Sequence, residues 1–145
     1  MDERQFHDLL LQLDKNIEIS KREMASARVT EECADCAANG EGTCCSARTG
    51  QKCDSILLLV NLLLNNPLPE KGSKAELCHF LTDSGCLLRA RPVICVNFVC
   101  NRLREKIPFQ TLIHLQNTIG NELETLFRVE EHIKRKILKT KKINE

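Results

Sequence analysis

The sequence predicts a mainly α-helical chain in which long N- and C-terminal helices pack around a cysteine-rich metal-binding centre that includes a small β-hairpin. Three observations lead there. Apolar residues recur at spacings of three and four at both ends, nine cysteines crowd the middle, and Trp and Tyr are absent with only five Phe. Leu and Ile must therefore supply the buried area that aromatics usually provide, which aliphatic helices do well. At 145 residues the chain fits a single domain, 1–145.

The N-terminal helix is expected over 3–27, with Phe6, Leu10, Leu13, Ile17 and Met24 forming one face and Ser20 interrupting it. Glu18 and Arg22 stand at i,i+4 on this helix, in the orientation that adds a few tenths of a kcal/mol. From Val29 to Lys52 the period is lost and Gly40, Gly42 and Gly50 appear, so this stretch reads as loop or turn. Asp54 or Ser55 caps a helix running to about Asn65, where Asn66, Pro67 and Pro69 end it. Its residues leave little polar face, and burial on most sides is expected. In LCHFLTDSGCLLRA, two apolar segments flank Thr82, Asp83, Ser84 and Gly85 and predict a hairpin with Cys78 and Cys86 beside its turn. Pro92 suits a first helical turn, and Val93 to Arg104 continues that helix until Pro108 breaks it. The last helix, 108–141, carries Leu112, Ile119, Leu126 and Ile133 at heptad spacing, with Leu123 and Ile137 in a second row. At about 1.5 Å per residue it reaches roughly 50 Å, so the first helix or a second copy must cover its seam.

The formal charge is +1, from 21 basic and 20 acidic residues, so no global field draws the chain to nucleic acid or anionic lipid. The start, MDERQFHDLLLQLDK, lacks the basic-then-apolar pattern of a signal peptide, and a cytoplasmic location is the default expectation. The run from Ile56 to Leu64, broken by Asn61, falls well short of the roughly 20 residues a bilayer crossing needs, so no membrane partner is expected. The basic C-terminus, with Lys134, Arg135, Lys136, Lys139, Lys141 and Lys142, reads as a solvated helix end that complements the helix dipole. Without interleaved aromatics to stack on bases, nucleic acid is not an expected partner.

In a reducing compartment, clustered cysteines indicate metal ligands or redox groups rather than disulfides. Cys33 and Cys36 form a CxxC, whose two thiolates can converge on one ion at about 2.3 Å. Cys44, Cys45, Cys78, Cys86, Cys95 and Cys100 complete a candidate ligand set of eight. Zinc or iron, the latter including a [4Fe-4S] cluster, is the expected cofactor. Adjacent residues of an extended backbone point to opposite sides, so Cys44 and Cys45 should face different centres or only one of them should ligate. Two interleaved sites, two local sites of four thiolates and a single cluster all fit the spacing. Arg48, Lys52, Arg89, Arg91, Arg102 and Arg104 lie close in sequence to these cysteines and could balance their charge. Cys53, at a helix start, reads as a buried apolar-like thiol outside the site, and His79 as a residue behind the ligands or on the surface. His7, His114 and His132 have no partners in motif spacing. No His is placed to activate a lone cysteine, so no catalytic residue is assigned.

With the residues Cys33, Cys36, Cys44 and Cys45, then Cys78-His79-Phe80-Leu81, Gly85-Cys86 and Arg91-Pro92-Val93-Ile94-Cys95-Val96-Asn97-Phe98, the chain resembles the YkgJ-type CxxCxnCC proteins, a zinc- or iron-chelating cysteine cluster family. The resemblance covers about residues 30–100. Val96 stands where the family usually has Arg, and Val99 where it has Pro. The resemblance implies metal binding. Flagellin lysine N-methylases carry a similar domain, which implies a protein-modifying enzyme as one alternative, but no glycine-rich strand-to-helix turn for a nucleotide-like cofactor is present. The sequence thus points to a metal-binding protein with a structural or redox role. The other alternative is a helical interaction protein, its metal purely structural, that recruits a protein partner or a second copy through the heptad helix.

Overall fold

The computed structural model describes residues 1–39, 44–72 and 75–144. Its frame is an antiparallel pair of helices, α1 (Glu3–Ser26) and α7 (Phe109–Ile143). Asp2 caps α1 through a capping box with Gln5, satisfying two backbone donors at once. Leu9, Leu13 and Ile17 of α1 meet Leu126, Val129 and Ile133 of α7, while Met24 joins Leu112, Leu115 and Ile119 at the other end. All four residues of the heptad row are therefore buried inside the chain, by α1 above all. Asn16 fixes the register, donating to Thr125 Oγ1 at 2.9 Å and to the Asn121 carbonyl at 3.3 Å.

Helix α4 (Ser55–Leu63) lies against this pair, inserting Leu57 and Val60 into the same core. Asp54 is its cap, accepting the Leu57 N–H at 2.8 Å. Burial on most sides is not what the structure has: Leu59, Leu62 and Leu63 are 37–52 % exposed, because α1 and α7 cover only one flank and, among the described residues, no further layer lies outside. The polar interruption Asn61 is wholly buried. Its amide nitrogen donates to the Leu57 and Ala90 carbonyls, and its oxygen accepts the N–H groups of Arg89 and Ala90 and an N–H of the Asn66 amide. One side chain thereby ties the 89–90 segment to α4.

Two other expectations need correction. The 29–52 stretch is not all loop: α2 (Val29–Asn39) and α3 (Ala47–Gly50) fall within it, while residues 40–43, with Gly40 and Gly42, lie outside the described residues. Arg28, with φ 64°, turns the chain back after α1, and Val29 is buried against Met24 and Leu103. The other correction concerns Val93 to Arg104, which is two helices, α5 (Val93–Asn97) and α6 (Asn101–Lys106). Phe98 and Cys100 are extended between them, with ψ 124° and 168°. Across the break, Val96 of α5 and Leu103 of α6, with Ile107 after it, all reach the second core. The hairpin forms as expected, from β1 (Leu81–Thr82) and β2 (Gly85–Cys86), antiparallel with Leu81 opposite Cys86. Thr82 Oγ1 donates to the Gly85 carbonyl and accepts the Ser84 N–H, while Gly85 takes φ 104°, a conformation that glycine adopts without strain. Glu18 pairs with Arg89 at 2.7 Å across the fold, instead of with Arg22 along its helix.

Candidate metal centre

The cysteines approach one another between α2, the hairpin and the α5–α6 break. Cys33 and Cys36 stand on α2 at i,i+3, the spacing that puts both on one face of a helix. That face is set against α6 by charge. Arg102 Nε donates to Glu32 at 2.9 Å, Arg102 also pairs with Asp35, and Lys106 reaches Glu32 at 3.1 Å. Both carboxyls are held below the usual range, first by their hydrogen bonds to Arg102. Cys100 is the N-cap residue of α6, so docking α6 on α2 carries Cys100 to the CxxC pair. Although Cys33 is exposed as a residue, its sulfur is desolvated enough to raise the thiol. The neighbours that add to this are Cys44, Cys100 and Cys36, with Arg91 opposing.

The second approach is built on backbone pairing. Ser46 and Leu77 form an isolated antiparallel bridge, and the Cys78 N–H donates to the Cys45 carbonyl at 2.9 Å. Cys78 is buried with Phe80 and Leu88 in a small cluster against which Cys45 and Cys53 pack. Gly50, the last residue of α3, faces the Cys78 sulfur so closely that a Cβ there would stand 3.2 Å from it. Cys86 lies on β2 and Cys95 on α5, where its N–H donates to the Pro92 carbonyl at 2.9 Å. The Cys95 thiol is pushed up to about 11, by burial first and then by Cys86, with Cys78 and Cys44 adding to it and Arg91 opposing.

The two approaches adjoin at Cys44 and Cys45. Cys44 is held well above the ordinary thiol range, first by the hydrogen bond it shares with Cys45 and next by burial. Its carbonyl accepts Thr49 Oγ1 at 2.6 Å, which fixes the turn into α3. The positive charge of Arg91 opposes the upward shifts of the Cys33, Cys86 and Cys95 thiols. One of its terminal nitrogens rests 3.5 Å from the Met24 sulfur, and its buried Nε has no hydrogen-bond partner among the described residues. Of the other cations expected nearby, Arg89 is committed to Asp14 and Glu18, and Arg102 to α2.

Packing joins Cys45 and Cys53 to the Cys78–Phe80–Leu88 cluster, and α6, whose cap is Cys100, is ion-paired to the helix that carries Cys33 and Cys36. Among the described residues, no three His, Cys, Asp or Glu side chains stand close enough to hold one metal ion as placed. His79 is not among the thiols' neighbours; it forms a 2.9 Å hydrogen bond with the Pro69 carbonyl and packs edge-on to Phe80. Asn61, which anchors the strand-to-α5 connection, and Gly50, which admits the Cys78 sulfur, were not foreseen. A polar residue inside an otherwise apolar helix was the only signal for Asn61, and a close approach such as that at Gly50 leaves no sequence signal. No family model, curated protein or solved structure matches this chain. Among the described residues no helix is long and apolar enough to cross a membrane.

Proposed function

We propose that this chain is a metal-binding protein of the YkgJ-like kind, holding zinc or an iron–sulfur cluster through clustered cysteine thiolates in a structural or redox role. What supports this reading is the abundance of thiols together with two pairings between segments remote in sequence: Cys78 bonds by backbone to Cys45, and α6, capped by Cys100, is ion-paired to the helix of Cys33 and Cys36. The donor chemistry fits: all the gathered candidate groups are thiols, the ligand type selected by zinc and by iron–sulfur clusters. When bound, the metal would cross-link the region or, as a cluster, carry an electron. The chain's own residues do the rest. Arg102 and Lys106 hold α2 and α6 in register, the Ser46–Leu77 bridge sets Cys45 beside Cys78, and Arg91 offers positive charge to a net-negative thiolate assembly. Binding would require the thiols to come closer than they stand, since among the described residues no three candidate side chains are placed to hold one ion.

Anaerobic purification followed by metal and sulfide analysis and a visible spectrum tests this reading. Stoichiometric zinc in a colourless protein, or iron and sulfide with broad visible absorption, supports it and chooses the cofactor. A protein that retains neither metal, and takes up neither when they are supplied, overturns it. A second reading, an interaction protein whose metal is only structural, draws on the uncovered Leu59, Leu62 and Leu63 of α4 and on Ile137 beyond the end of α1. Sedimentation equilibrium that finds a dimer would favour it.

A further inference from the structure

We propose that the groove between the start of α1 and the C-terminal half of α7 binds a small anion carrying two linked phosphate groups. None of the cysteines lines it, so this site stands or falls apart from the metal-binding reading.

The groove is a cavity of about 400 Å³, and Arg128, Arg135, Lys136 and Lys139 of α7 line it together with His132. At 3.6 residues per turn, positions 128, 132, 135 and 139 follow one another at spacings of four, three and four and stay on one side of the helix, with 136 beside them. The core side of the same stretch is made by Leu126, Val129 and Ile133. The basic C-terminal run is therefore not a uniform solvated end. Arg135, Lys136 and Lys139 turn to the groove and are joined there by Arg128 from outside the run, while Lys134, Lys141 and Lys142 are not part of the lining.

This charge is not neutralised within the chain. The lining holds one carboxylate, Glu131, which is engaged by Lys134 at 3.2 Å. Arg128, Arg135, Lys136 and Lys139 have no carboxylate partner among the described residues, whereas Arg89 and Arg102 are each held by two acids. Like charges on one side of a helix repel, so a bound polyanion relieves that repulsion as well as forming charge-assisted hydrogen bonds. His132 stacks on Phe6 with ring centroids 4.4 Å apart, and its buried Nε2 has no hydrogen-bond partner among the described residues, which leaves a polar position at the groove unfilled.

Shape and charge select the ligand class. The volume falls within the roughly 300–1,000 Å³ of small-molecule sites, whereas an anionic bilayer is met by an apolar helix face and a single-stranded nucleic acid by a basic track with several stacking aromatics. Phe127 is the one aromatic besides His132 in the lining. A phosphate group carries about −1.5 to −2 at neutral pH, so two of them match the four cations.

The test is calorimetric titration of the full-length chain with inorganic pyrophosphate at low salt, with metal content measured before and after because this probe also chelates. Arg135→Gln/Lys139→Gln removes two cations of the groove, and Lys141→Gln/Lys142→Gln removes the same charge outside it. All four residues are exposed, and thermal melts check that both variants fold as the wild type does. The wild type should bind one equivalent, more weakly as salt rises. The groove variant should bind about tenfold more weakly or worse, and the outer variant within about twofold of the wild type. Equal losses in the two variants would show a diffuse basic end and overturn the site, as would a wild type that binds no pyrophosphate. Vesicles of phosphatidylcholine with phosphatidylserine, and a single-stranded oligonucleotide, form the other arms: binding to either that is tighter than to pyrophosphate and indifferent to Arg135→Gln/Lys139→Gln also overturns it. None of these results bears on metal uptake by the thiols.

Discussion

Leu13, Ile17, Val60 and Val129 are sealed between α1, α4 and α7 with 1 % exposure or none, whereas the region of residues 44–54 and 78–100 has for its own core little more than Cys78, Phe80 and Leu88. Around that small core, Leu87, Val93, Ile94 and Phe98 are left 43–57 % exposed, and the regular elements are two to five residues long. Burial of a large aliphatic side chain is worth about 1.5–3 kcal/mol, so the helical frame can stand on packing. The cysteine region cannot draw much from that source. What it has instead are hydrogen-bonded tethers to the frame, through Asn61 and Arg89, and thiols that a metal would tie together.

The sharpest way to break this comparison is to withdraw metal from the loaded protein with a strong chelator. Hydrogen exchange should then lose protection across residues 44–54 and 78–100 while α1 and α7 keep theirs, and the melting transition should shift downward; an unchanged melting temperature would remove any structural role for metal. Next in size is Leu13→Ala, in the frame. It should cost about 3 kcal/mol, the ordinary range for deleting a buried leucine, and cost the same with metal bound or removed. Chemical denaturation in both states measures this.

Asn61→Ala attacks the tether between the two regions. It strands the N–H groups of Arg89 and Ala90 and the Ala90 carbonyl, and should cost about 2 kcal/mol. Unlike Leu13→Ala it should also weaken zinc binding, because the tethered segment leads directly into Cys95. Equal zinc affinity in both variants would show that the tether plays no part in the site. The smallest effect belongs to Glu122, a buried carboxyl of α7 whose pKa is raised by burial, against the opposing influence of Ser20, Arg91, Lys21 and Arg89. Since the folded chain binds that proton more tightly than the unfolded chain, stability from Glu122 is fully present below the ordinary carboxylate range and is lost as pH rises through the raised value. Thermal melts from pH 4 upward should show a decline that Glu122→Gln removes.

Much of the frame was legible in the sequence because repetition reveals it. The α7 seam announces itself at Leu112, Ile119, Leu126 and Ile133, and α4 is bracketed by Asp54 and by prolines. The α2 helix was hidden because its residues are small or charged, with glycines following, and its support comes from Arg102 and Lys106, some seventy positions away. The candidate site was legible as a set of residue types but not as a grouping. Cys100 starts a separate helix because Phe98 and Cys100 are extended, and the turn before Cys53 lies against Cys78 because Gly50 has no side chain; neither a local break nor a close approach leaves a periodic trace.

The bridge between Ser46 and Leu77 has a kinetic side as well. It clasps the two ends of the excursion that contains α3 and α4, with Cys45 just before one end and Cys78 just after the other. Closing that loop and bringing the two thiols side by side are therefore a single step in folding. Because closure entropy grows only with the logarithm of loop length, residues inserted between α4 and Leu77 would delay that step only slightly and leave the meeting of the thiols intact.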